Sequence, residues 1–157
     1  MIMVNSTYRQ MRYFILILLI FGTFTPGFSA EKTKINESVH FQIKLKEKTL
    51  KSGSPATLLI SLQPKKGIHI NLETPTTIKL DSSDIVKTTG ELVLPKNAND
   101  NYLDVSKHIQ QAINISKNAK PGAVTIRGVF TYFYCSDAEG WCSKFKQPFE
   151  LTARISK

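Results

Sequence analysis

The sequence has 157 residues and carries 21 Lys and Arg against 12 Asp and Glu, a formal net charge of +9. Its basic residues stand singly or in pairs, with no Arg-rich run and no interleaved aromatic platform. Nucleic-acid binding is therefore set aside in favour of a solvated basic face.

The chain opens with Arg9 and Arg12 ahead of an apolar run over 13–21, then a Pro- and Gly-containing stretch that ends in Ser29 and Ala30. A basic start, a short apolar middle and a small-residue end predict a secretory signal peptide over 1–30, cleaved after Ser29 or Ala30. The apolar run is too short for a membrane anchor, which needs about 20 residues. Removing Arg9 and Arg12 leaves residues 31–157 with +7, expected to form one exported, periplasmic domain that does not span the membrane.

Beyond residue 38 the pattern is period two. Val39, Phe41, Ile43 and Leu45 alternate with polar neighbours, as do Ala56, Leu58, Ile60 and Leu62, and then Ile68, Ile70 and Leu72. Each reads as a half-buried strand. Turn clusters at 51–55 and 64–67 separate them. Short extended segments are expected over 76–80 and 85–94, the latter interrupted near Gly90. A loop over 96–101 is closed by Tyr102. Residues 109–115 fit a strand with Gln111 out of pattern, or a short helix. After the Lys120-Pro-Gly122 turn, a long strand is expected over 123–134, with Gly128 as a candidate bulge. A last strand runs from Phe145 to Ile155, with Pro148 pointing to a sheet edge. Seven or eight strands with almost no helical periodicity predict an all-β fold, an immunoglobulin-like antiparallel β-sandwich.

The chemistry is concentrated over 130–145. That stretch holds both cysteines, Cys135 and Cys142, the only tryptophan, Trp141, and five of the fourteen Phe and Tyr residues. It reads as a hairpin with the cysteines at the base of its loop. In an oxidising compartment the two are expected to be bonded. A loop of this size contributes only about 2.5 kcal/mol in the chain-entropy model. Breaking it need not unfold a sandwich, which is what reversible exchange requires. Asp137 and Glu139 disfavour a nearby thiolate by like-charge repulsion, Lys144 and Lys146 favour one, and Trp141 is positioned to shield the sulfurs. Spacing alone leaves two readings open: a redox-active pair, or a structural bond that pins a hairpin. His40, His69 and His108 share no ligand spacing with the thiols, so no metal or other cofactor is expected. No nucleophile motif supports a hydrolase.

The order of Gly67-Ile-His-Ile-Asn71, Pro75, Lys120-Pro-Gly122 and Tyr132-Phe-Tyr-Cys135-Ser-Asp…Cys142 resembles the N-terminal periplasmic domain of the thiol:disulfide interchange protein DsbD. The resemblance implies an immunoglobulin-like sandwich whose Cys135/Cys142 pair takes electrons from a thioredoxin-like domain and hands them to periplasmic oxidoreductases. It also implies an aromatic cap over the disulfide, with Asp100-Asn101-Tyr102 as the counterpart and Tyr102 as the cap. The chain departs from the family in having six residues between its cysteines and Ser143-Lys144 after the second. The alternative is a secreted immunoglobulin-like binding or accessory module whose disulfide is purely structural.

Overall fold

The computed structural model describes residues 35–98 and 101–156, so the expected signal segment at 1–30 and Asp100 lie outside the described residues. The alternating stretches form nine strands: β1 (Val39–Leu45), β2 (Leu50–Lys51), β3 (Pro55–Pro64), β4 (Ile68–Asn71), β5 (Thr77–Leu80), β6 (Val86–Thr88), β7 (Ile109–Ile115), β8 (Gly122–Ser136) and β9 (Trp141–Ser156). Among the described residues there is no helix. One sheet runs β1-β3-β7-β6. The other runs β2-β9-β8-β4, with β5 also paired to β8 further along the edge that β4 occupies. The fold is an immunoglobulin-like β-sandwich, as the period-two pattern predicts.

Period two fixes which face meets the core. In β3, Ala56, Leu58, Ile60 and Leu62 are buried, and in β8 so are Val124, Ile126, Phe130 and Tyr132. Each fully buried Leu, Ile or Phe contributes roughly 1.5–3 kcal/mol of transfer free energy. Aromatic rings then carry the packing from the middle of the sandwich towards the β8–β9 turn. Phe149, Phe41 and Phe130 lie in sequence, with centroids 6.3 and 5.9 Å apart. Phe130 meets Tyr132 at 5.8 Å, and Tyr132 meets Tyr134 at 6.1 Å.

Several elements differ from the sequence reading, each for a local reason. Residues 109–115 are a strand, and Gln111 is in phase with Ile109 and Ile113 rather than an exception. Its side chain is buried because its amide nitrogen donates to the carbonyls of Thr89 (3.0 Å) and Ala112 (2.9 Å). A satisfied polar group tolerates burial. Gly128 is not a bulge: the β8–β9 register runs unbroken from Gly122↔Ile155 to Ser136↔Trp141. Glycine is required there because a Cβ would lie 2.3 Å from the Lys79 carbonyl oxygen of β5. Lys51, read as the start of a turn, and Leu50 before it pair in parallel with Ser156 and Ile155. Two residues are too few to show a period. Of the segment over 85–94, only β6 and a single bridge from Val93 to Gln110 are extended pairings. Finally, β9 begins at Trp141, so the β run opened by Cys142 and the last strand from Phe145 are one element. Among the described residues its far edge is paired only at its last residues, by β2, which leaves Pro148 on an open edge.

The hairpin disulfide as candidate functional site

The β8–β9 hairpin is long because aromatic residues suit a pleated half-buried surface. It reverses over 137–140. Gly140, at φ 68°, takes the left-handed conformation that closes the turn, and its N–H donates to the Ser136 carbonyl at 2.9 Å. Immediately below, Cys135 and Cys142 are direct cross-strand partners with Cα atoms 4.0 Å apart, and they are disulfide-bonded. Among the described residues there is no free cysteine.

The register decides which face the bond occupies. Inward positions of β8 are the even ones, so Cys135 belongs to the outer face with Phe133 and Thr131. On β4, His69 is the partner of Cys135, and Asn71 is the partner of Phe133. One row across the outer face therefore reads His69, Cys135, Cys142. The two sulfur-bearing residues are unequal: Cys135 is 4% exposed, whereas Cys142 is exposed.

His69 links this row to two other groups. Its Nε2 lies 3.0 Å from Asp137 Oδ2 on the turn. Its ring packs on Tyr102, with centroids 5.0 Å apart. Tyr102 reaches that place because residues 101–103 extend the free edge of β4. Leu72 N–H donates to the Asn101 carbonyl at 2.8 Å, Leu103 N–H donates to the Ile70 carbonyl at 3.0 Å, and Asn71 bridges to Tyr102. Leu103 is buried, which anchors the segment from the inner side. Tyr102 thus stands on the disulfide's face, with β4 between it and Cys135.

Trp141 stands elsewhere. It pairs with Ser136, one step out of phase with the cysteines, and packs edge-on against Tyr134 at 5.5 Å from the inner side of the hairpin. Its indole N–H donates to Glu139. The two acids of the turn are therefore each engaged, Asp137 by His69 and Glu139 by Trp141. Lys144 shares the outer face with Cys142 and sits over the Phe133 ring, 5.6 Å from its centroid.

The other histidines are remote from this group. His40 Nε2 lies 3.1 Å from Gln42 Nε2, and His108 Nδ1 lies 2.8 Å from Ser61 Oγ. Among the described residues no three His, Cys, Asp or Glu side chains gather as a metal site would require. Among the described residues there is likewise no helix long and apolar enough to cross a membrane. The parts that sequence reasoning missed are the His69–Asp137 pair and the placement of Trp141. Both depend on strand register, which period two does not specify between strands.

No protein-family model matches the sequence, and no curated protein matches it. Among solved structures the chain is similar to the crystal structure of the yeast GGA1_GAE domain-P21. The identity is 18% and the TM-score 0.41, over 75% of this chain and 95% of that one.

Proposed function

We propose that this protein is an exported, periplasmic thiol–disulfide exchange domain that passes electron pairs between thioredoxin-like partners through Cys135 and Cys142. The observation that carries the reading is the inequality of the bonded pair: an exposed Cys142 joined to a buried Cys135, on one hairpin whose strands are also paired along their length by the backbone ladder. The resemblance of the Gly67–Asn71 and Tyr132–Cys142 stretches to the DsbD N-terminal domain supports the same reading.

A partner thiolate attacks Cys142 Sγ, the S–S bond breaks, and Cys135 leaves as a thiolate that takes up a proton. The partner's second thiolate then attacks the mixed disulfide and releases Cys142. Two electrons pass to the domain, and the partner leaves oxidised. Oxidation of the dithiol by the next partner reverses these steps. Tyr102, packed on His69, caps the outer face beside Cys135, and Trp141 backs the hairpin from the inner side. Lys144 favours the departing thiolates electrostatically.

The test is a trapping experiment. Cys135→Ser leaves Cys142 alone, which is then activated by exchange with 5,5′-dithiobis(2-nitrobenzoate), releasing one thionitrobenzoate and leaving the other on Cys142, and mixed with a thioredoxin lacking its resolving cysteine. A stable mixed disulfide is expected, formed faster than by the Cys142→Ser variant activated at Cys135. Equal rates, or no adduct, would overturn the assignment.

The second reading, a secreted accessory module with a structural bond, draws on one observation: the cysteines are direct ladder partners, so their bond also fixes the hairpin register. It differs from the first in reduction potential.

A further inference from the structure

The rows next to the disulfide form a groove of about 600 Å³ on the same outer face. Its floor is Val129, Thr131 and Phe133 of β8, and its rims carry Lys79 of β5 and Lys144 and Lys146 of β9. Asp81 stands at one end as the single carboxylate among the lining residues. All three lysines are exposed, and none is in an ion pair among the described residues. Lys144 follows Cys142 by two residues, so the groove begins one step along the face from the exposed cysteine.

We infer that this lysine-rimmed groove docks an extended acidic segment of the partner, with carboxylates at alternate positions. Charge complementarity selects the class of occupant, three cationic side chains against one anionic. Spacing selects its conformation. Lys144 and Lys146 are two residues apart on one strand face, about 6.8 Å, which is the separation of alternate side chains in an extended peptide. The half-buried hydroxyl and apolar floor suits the small side chains between them, whereas a membrane surface would favour a flat or convex basic face. The inference deepens the exchange reading by giving the partner's chemistry beside its attacking cysteine. It rests on that reading for the partner's identity and not for the groove.

The probe is a fluorescein-labelled, cysteine-free peptide with Glu at alternate positions and Val or Thr between them, titrated with the purified protein and followed by anisotropy. Binding is expected to weaken about tenfold or more in Lys144→Glu/Lys146→Glu. It should stay unchanged in Lys44→Glu/Lys87→Glu, which alters the charge equally on the exposed positions of the other sheet. Equal weakening by both variants, equal binding of a Lys-for-Glu peptide, or binding to phosphatidylglycerol vesicles that the acidic peptide does not compete would overturn the inference. Because the peptide has no thiol, its binding is independent of exchange. A disulfide that resists dithiothreitol while the peptide still binds defeats the exchange reading alone. A reducible disulfide with no peptide binding defeats the groove alone.

Discussion

Tyr132 is fully buried, and its hydroxyl accepts a hydrogen bond from Asn36 Nδ2 at 3.0 Å. Burial pushes its pKa up to about 12, against the counter-effect of that hydrogen bond. The unfolded phenol ionises near 10, so between about 10 and 12 the unfolded chain has lost a proton that the folded chain keeps. Stability is full below pH about 10 and falls as pH rises, by about 1.4 kcal/mol per unit. Urea midpoints compared with those of Tyr132→Phe should show this slope in the wild type and its absence in the variant. Thr76 offers a second test, since its buried hydroxyl has no hydrogen-bond partner among the described residues. Thr76→Val should stabilise by about 1 kcal/mol, raising Tm by roughly 4 °C. Tyr102 is the cap in the proposed exchange site. Tyr102→Ala should speed reduction of the disulfide by a thioredoxin several-fold in stopped-flow fluorescence, and an unchanged rate would remove Tyr102 from the cap.

At the scale of elements, the β8–β9 hairpin and its neighbours decide what the site can do. Gly128 lets β5 approach β8 so closely that a Cβ would meet the Lys79 carbonyl and the Phe149 ring. Gly128→Ala should therefore cost about 1–3 kcal/mol by forcing the strands apart, measured as a lower urea midpoint. Strand identity was legible wherever period two ran for several residues, as in β1, β3 and β8. It was not legible where one residue served two purposes. Gln111 breaks a hydropathy pattern because its amide is satisfied by the Thr89 carbonyl, a partner 22 residues away. Gly128 looks like a break in the strand because sequence does not show which backbone lies above it. The cysteines were readable as a hairpin pair from their spacing and the turn between them. That His69 would be the partner of Cys135, and Trp141 face the other side, follows from register, which only the assembled sheets contain.

For the whole molecule, the central question is what the covalent bond adds to a sandwich whose core lies on the other face of the sheet. The core of both sheets and the line of rings from Phe149 to Tyr134 lie on the inner side, while the disulfide lies on the outer face. Its removal in Cys135→Ala/Cys142→Ala should cost about 2.5 kcal/mol and leave a cooperative unfolding transition. That outcome would mean that the domain opens and closes one bond without losing its fold. The most direct test is the reduction potential of Cys135–Cys142, obtained by equilibrating the purified protein in glutathione and dithiothreitol buffers and counting alkylated thiols. Exchange between thioredoxin-like partners predicts a value between about −180 and −270 mV, with a folded reduced form. A value below about −300 mV, with no reduction by thioredoxin, would mean that the bond is structural and would contradict the account.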